Sequence, residues 1–198
     1  MENTGLILLA AGDSSRMGSP KQLLLYQGQT LLDRIVDSSI KAFDVDNIVL
    51  VLGADHEAIV SKIKNTDIRI SINEDWESGM ASSIKLGLQT LRKNCPAMER
   101  CFISVCDQPY LSEEVFLKML KMAKNSSKDI IAAEYAGTIG VPALFSKKYF
   151  EKLMNLAGDQ GAKKIIMENM EDVGTFAFEE GAIDIDTPMD YDTLITKK

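Results

Sequence analysis

Residues 6–22 read LILLAAGDSSRMGSPKQ, an apolar run that breaks at once into glycine, serine and two cations. The run from Leu6 to Ala10 is short, aliphatic and not alternating, as expected of a strand covered on both faces. Further runs of this kind lie at Asn47 to Leu52, Ile68 to Ile72, Cys101 to Cys106 and Asp129 to Glu134. Between and beyond them, helical periodicity predicts helices at Thr30 to Phe43, Asp55 to Lys64, Ser82 to Lys93, Ser112 to Lys124, Lys147 to Leu156 and Ala162 to Met170. Strands alternating with helices predict an α/β fold whose mostly parallel sheet lies between helical layers. No repeat or long linker divides the 198 residues, so one domain over 1–198 is expected.

A formal charge of -7 argues against a general nucleic-acid binder, which needs a broad basic field. No membrane span or secretory signal is read, and a cytoplasmic protein is expected. Cys95, Cys101 and Cys106 match no zinc spacing and read as small buried hydrophobes. His56, the single histidine, opens a predicted helix without a partner for metal binding.

In a doubly wound sheet, ligands bind beyond the carboxyl ends of the strands, which is where Ala11 to Gln22 falls. Gly12 and Gly18 permit close backbone approach, Ser14 and Ser15 offer hydroxyls, and Arg16 and Lys21 bring charge: a set suited to a triphosphate. The spacing is neither a Walker loop nor the G-x-G-x-x-G of dinucleotide folds. An ordinary solvated turn would use the same residue types. Downstream, Asp107 in VCDQPYLS follows a predicted strand, where a carboxylate can hold Mg²⁺ against phosphates or simply belong to a turn. In WESGMASSIKLGLQTL, Gly79 allows close approach and Ser82 and Ser83 are read as caps of an amphipathic helix. Trp76 is read as a packing residue before a stacking one.

Taken together, LAAGDSSRMGSPKQLL meets every fixed position of the pattern L-A-[AG]-G-x-S-x-R-M-G-x-x-K, and so resembles the nucleotidyltransferases of the molybdopterin-dinucleotide type. Its L-A-A-G start and K-Q-L-L continuation are similar to the molybdenum cofactor cytidylyltransferase branch. The resemblance extends through G-[ML]-x-x-S-[IL]-x-x-G-L from Gly79 and through the C-D-x-P of Cys106 to Pro109. It implies a three-layer Rossmann-like nucleotidyltransferase fold. It also implies that Gly12, Arg16, Gly18 and Lys21 meet the nucleotide's phosphates, that Leu9, Ala10 and Ala11 lie along the base, and that Gly79, Ser82 and Ser83 help to hold it. Arg16, Lys21 and Asp107 would carry the catalysis.

GTIGVPALF and GDQGAKKI resemble the family's acceptor segments, implying contacts to the pterin from Gly140, Pro142 and Asp159, although Val141 stands where the family often has His or Asn. DIDTPMDYDTL resembles the segment whose aspartate, here Asp186, joins Asp107 as a metal ligand. The implied reaction joins CMP from CTP to molybdenum-bound molybdopterin, with Mg²⁺ as cofactor and pyrophosphate as product. A molybdenum hydroxylase would be the acceptor protein, and neither nucleic acid nor membrane is expected as a partner. Two alternatives remain open: a nucleotidyltransferase acting on a sugar or polyol phosphate, and a non-catalytic carrier of the finished cofactor.

Overall fold

The computed structural model describes residues 3–64 and 67–196. A seven-stranded sheet has the order β5-β4-β1-β6-β8-β7-β9. Its strands are β1 (Thr4–Ala10), β4 (Ile48–Leu52), β5 (Arg69–Ile72), β6 (Arg100–Val105), β7 (Ile130–Tyr135), β8 (Thr138–Ser146) and β9 (Val173–Ala177). A two-stranded hairpin is formed by β2 (Leu25–Tyr26) and β3 (Gln29–Thr30). The helices are α1 (Leu31–Ala42), α2 (His56–Val60), α3 (Met80–Asn94), α4 (Glu113–Asn125), α5 (Phe150–Met154), α6 (Ala162–Met167) and α7 (Pro188–Thr196). None of the described helices is long and apolar enough to cross a membrane.

All seven residues of β1 are buried, and successive side chains enter opposite layers because a strand repeats every two residues. Leu6 and Leu8 join a core with Leu32 and Ile35 of α1 and Phe116 and Met119 of α4. Ile7 and Leu9 join another with Ile84, Leu88 and Leu91 of α3 and Ile165 and Ile166 of α6. In the first layer Phe102 and Phe116 meet edge to face at 5.2 Å, an arrangement that contributes about 0.5–1.5 kcal/mol beyond area burial. The result is the expected Rossmann-like three-layer α/β fold. Cys101 and Cys106 are buried within these layers, and burial pushes the Cys106 thiol up to about 12.

Around β1 the sheet is parallel: β4 and β6 flank it, and β5 lies outside β4. The chain leaves β1 toward β4 and β5, then returns to β6 on the other side, so the strand order reverses between β1 and β6. A crevice opens at such a reversal, beyond the strand ends.

The sequence reading differs from the structure chiefly in the second half. From Thr138 onward the segment GTIGVPALF lies in β8, which runs antiparallel to both β6 and β7. Glycine and proline hide it. Pro142 has no N–H for a ladder, and the β7–β8 register jumps from Ala132↔Ala143 to Ala133↔Gly140, leaving Val141 and Pro142 outside the pairing. The expected helix from Asp55 to Lys64 is helical only over α2, and that from Lys147 to Leu156 divides into a 3-10 turn and α5. Thr30 precedes α1 as its cap, accepting the N–H of Asp33 at 2.9 Å.

Candidate active site

Beyond β1 the chain turns sharply. Ser14 has a left-handed backbone, and its carbonyl accepts the N–H groups of Met17 at 2.8 Å and Gly18 at 3.2 Å. The Ser14 hydroxyl accepts the N–H of Lys21 at 3.1 Å, closing the loop on itself. Gln22, only 1% exposed, fastens the loop to the strand: its Nε2 donates to the carbonyl of Ala10 at 2.9 Å and of Gly12 at 3.4 Å. These contacts fix where Lys21 begins, so its side chain alone decides where the charge goes.

Lys21 Nζ lies between two carboxylates, 2.6 Å from Asp107 Oδ2 and 2.7 Å from Asp186 Oδ1. Arg16 Nη2 meets the other oxygen of Asp186 at 2.8 Å. The loop after β1, the end of β6 and the segment before α7 thus converge on one charged cluster. Burial opposes the charge of Lys21, but the Asp107 carboxylate and the hydrogen bonds to Asp107 and Asp186 outweigh it and raise its pKa above the usual lysine range. For Asp186, burial pushes the carboxyl up, while Lys21 and Arg16 outweigh that and hold it below its ordinary value. Asp107 Oδ1 is buried with no hydrogen-bond partner among the described residues.

The same loop walls a cleft of about 360 Å³, bounded by Ala11, Gly12, Trp76, Gly79, Ser83 and Asp159. Trp76 both lines the cleft and packs on the core. A second, more apolar cavity of about 240 Å³ adjoins it through Met80 and Asp159 and includes Leu9, Tyr135, Gly140 and Val141. A larger hollow of about 550 Å³ beside Asn73 and Lys85 takes no residue from the loop after β1, whereas Ala11, Gly12 and Asp13 line the smaller cleft; the loop, not size, selects the site.

Gly79 joins the walls. Its φ of 104° is one that side chains rarely adopt, and a Cβ there would lie 2.4 Å from the Gly158 carbonyl carbon. The N–H of Ala81 donates to the same Gly158 carbonyl at 3.1 Å, so that amide at the start of α3 serves loop packing.

The structure therefore brings Arg16, Lys21, Asp107 and Asp186 together, and Ala11, Gly12, Gly79, Ser83 and Asp159 around the cleft. The surroundings of the other predicted residues are more varied. Ser82 and Ser83 lie inside α3 and do not cap it; Ser82 Oγ donates to the carbonyls of Gly79 and Asp75 and lines the separate hollow. Leu9 faces the second cavity, Ala10 is buried with its carbonyl bonded to Gln22, and Gly18 supplies a left-handed turn. Pro142 belongs to the buried part of β8. His56 opens α2, its Nδ1 at 3.0 Å from the Gly53 carbonyl.

Three buried polar residues escape motif reading. Besides Gln22, Asn73 donates to the hydroxyls of Ser82 and Ser83 at 2.8 and 2.9 Å. Gln108 donates to the carbonyls of Val141 at 3.2 Å and Gly181 at 3.0 Å, tying the residue after Asp107 to the second cavity's wall. Asn73 and Gln108 both follow closely on strand ends, a position that is itself a signal in this type of sheet.

A nicotine blue oxidoreductase of Paenarthrobacter nicotinovorans is 35% identical over 107 residues, covering 54% of this chain and 50% of that relative. The molybdenum cofactor cytidylyltransferase of Escherichia coli is 27% identical, covering 94% of this chain and 93% of its own. Among solved structures, Rv0371c of Mycobacterium tuberculosis superimposes with a TM-score of 0.85 at 29% identity over the whole of both chains. The same protein in complex with manganese gives 0.80 at 26%, again over the whole of both. The model of the MobA-like NTP transferase domain matches residues 6–173, and the chain belongs to that nucleotidyltransferase family.

Proposed function

We propose that the chain is a cytoplasmic molybdenum cofactor cytidylyltransferase, one domain that transfers CMP from CTP to molybdenum-bound molybdopterin and releases pyrophosphate. The observation that carries this reading is the meeting of Lys21 with Asp107 and Asp186 at the loop after β1, which also walls the cleft. The cytidylyltransferase of Escherichia coli, matched over nearly the whole chain, supports the choice of substrates.

In this reading the triphosphate lies along residues 12–21 and the base in the cleft by Ala11 and Ser83. The second cavity, apolar along Leu9 and Val141, takes the pterin, and its terminal phosphate faces the triphosphate's α-phosphorus. An oxygen of that phosphate forms the new bond to phosphorus as the bond to the bridging oxygen breaks, and pyrophosphate leaves. Arg16 and Lys21 orient the triphosphate and stabilise the charge that grows on pyrophosphate. No general base is needed, because a phosphate monoester with a second pKa near 6 is mostly ionised at neutral pH.

The residues present fit a divalent cation. Asp107 and Asp186 supply hard oxygen donors, and Asp107 Oδ1, without a partner among the described residues, is an anionic oxygen suited to Mg²⁺. When bound, Mg²⁺ supplies Lewis-acid charge against the phosphate oxygens. A mycobacterial relative described in complex with manganese supports a divalent metal here. The product would pass to a molybdenum hydroxylase, with no nucleic acid or membrane involved.

The decisive experiment offers CTP, GTP, ATP and UTP with Mg²⁺ and molybdenum-loaded molybdopterin and measures pyrophosphate release. CTP-dependent release is expected; none with any nucleotide removes the reading. The match to nicotine blue oxidoreductase favours redox chemistry as a second reading. Turnover of nicotine blue by the purified protein, without pyrophosphate release from the panel, would establish it instead.

A further inference from the structure

Three of the four oxygens of the Asp107 and Asp186 carboxylates are already engaged by side-chain cations: Asp107 Oδ2 and Asp186 Oδ1 by Lys21, and Asp186 Oδ2 by Arg16. The fourth, Asp107 Oδ1, is buried. A divalent ion reaching for both carboxylates must therefore share an Asp186 oxygen with Lys21 or Arg16, and so either sit against a like charge or displace a charge-assisted hydrogen bond, the strong class of such bonds. Formal charges of the four side chains cancel, and Asp184, whose carboxyl feels both aspartates, adds a single negative charge beside them. An incoming metal ion thus meets a cluster with little net charge to attract it.

A triphosphate changes both terms. Its oxygens offer Lys21 and Arg16 new anionic partners, and several negative charges enter beside the carboxylates. The two side chains are able to follow. Arg16 is 67% exposed, and Lys21, though 14% exposed, carries its ammonium on a flexible four-carbon stem while its backbone stays anchored to Ser14.

We propose that Lys21 is an internal cation that holds the Asp107 and Asp186 carboxylates closed to a divalent metal ion until a nucleoside triphosphate draws Lys21 and Arg16 away. The inference rests on the phosphate and metal roles proposed above and adds an order to them. Metal alone binds poorly, nucleotide opens the site, and by linkage each ligand strengthens the other. Lys21 also spares the free protein two unscreened carboxylates side by side.

The test titrates Mn²⁺ alone into the parent, Lys21→Met, Arg16→Met and Asp107→Asn, following free Mn²⁺ by electron paramagnetic resonance. The parent titration is repeated at saturation with the α,β-methylene analogues of CTP and GTP in turn. Lys21→Met is expected to bind Mn²⁺ alone at least about fivefold tighter than the parent, the low end of ordinary coupling between sites. Arg16→Met should shift the same way by less, and an analogue should tighten Mn²⁺ binding in the parent.

A folded Lys21→Met that binds Mn²⁺ no tighter than the parent overturns the proposal. If that variant does not fold, an unchanged Mn²⁺ affinity in Arg16→Met overturns it. So does a bound analogue that leaves the parent's Mn²⁺ affinity unaltered. Asp107→Asn separates the two levels: if it loses Mn²⁺ binding while Lys21→Met gains nothing, only the inference falls. Full retention of Mn²⁺ binding in Asp107→Asn removes the metal site itself, and the inference with it.

Discussion

The backbone N–H of Ile185 donates to the carbonyl of Asp107 at 3.1 Å, joining the C-terminal segment to the end of β6. Ile185 is fully buried, in a small core with Tyr26, Leu31 and Leu194, so the segment cannot slide without exposing it. That register presents Asp186 to Lys21, while Asp184 makes no salt bridge among the described residues. Asp107→Ala is expected to abolish pyrophosphate release while the fold survives. Asp186→Ala should weaken the response to Mg²⁺, and Asp184→Ala should stay close to the parent. A Mg²⁺ titration of all three checks the register; damage in Asp184→Ala with parent-like behaviour in Asp186→Ala would reverse the assignment.

Lys21→Ala and Arg16→Ala are each expected to lower kcat/KM by about 2–4 kcal/mol of transition-state stabilisation, the range for removing one group that faces growing charge. Their effects on stability should differ. Lys21 is largely buried against two carboxylates and its loss leaves acceptors unpaired, at about 1–3 kcal/mol. Arg16, 67% exposed in a surface pair, should cost no more than about 1 kcal/mol. Chemical denaturation separates the two variants; parent-like kcat/KM in both would return the loop to a solvated turn.

The central strands were legible because β1, β4 and β6 are buried on both faces and must be aliphatic. β8 was not, because its pairing accommodates Gly140 and Pro142 through a register jump and a side-chain clamp from Gln108. For the candidate site, the convergence of Lys21 with Asp107 and Asp186 follows from residues placed beyond strand ends together with the family pattern. Ser82 was misplaced for a local reason: the serines resemble a cap, but the helix begins earlier, at Met80, with Gly79 before it. Gln22 and Gln108 were missed because they act on backbone carbonyls, and no spacing rule announces which carbonyls a fold leaves unpaired.

Gly79 and Gly12 should respond oppositely to alanine. At Gly79 the new methyl would collide with the Gly158 backbone and the φ of 104° would strain it, at a cost of about 1–3 kcal/mol. At Gly12 a Cβ meets nothing within 4 Å among the described residues, so stability should hold within about 0.5 kcal/mol. Because Gly12 lines the cleft, its methyl is expected to raise the nucleotide KM. Thermal melts beside nucleotide kinetics test the pair, and a destabilised Gly12→Ala would contradict this geometry.

The proposed preference for cytosine would be set at the cleft wall. Ala11 is nearly buried there, and its carbonyl accepts the N–H of Ala54 at 3.2 Å, which holds the main chain against any base that enters. A pocket that reads a base by hydrogen bonds leaves polar groups unpaired with the wrong one. CTP is expected to exceed GTP in kcat/KM by about a hundredfold or more. Equal turnover of the two nucleotides would withdraw the argument from the L-A-A-G start.

Asp184 gives the site a pH dependence of its own. Burial first, and then the charges of Asp107 and Asp186, push its carboxyl above the ordinary value of 3.8. A folded-state pKa above the unfolded one means that the folded protein binds the proton more tightly. The stability this contributes is fully present below the unfolded value and is lost as pH rises through the folded one. Asp186 runs the other way: its depressed carboxyl contributes stability above the unfolded value, lost as pH falls through the folded one. Near neutral pH, then, ionised Asp184 weakens the fold and ionised Asp186 supports it. Asp184→Asn cannot ionise and should melt higher than the parent at about pH 7, with the advantage shrinking toward about pH 4 as the parent regains its proton. Asp186→Asn should melt lower than the parent at about pH 7, and its deficit should persist to about pH 4 and shrink only as pH falls further through the depressed folded value. Melting curves of the three proteins from about pH 7 to about pH 3 provide the check. An Asp184→Asn advantage of the same size at both ends would mean that its cause is packing or hydrogen bonding and not the charge on Asp184.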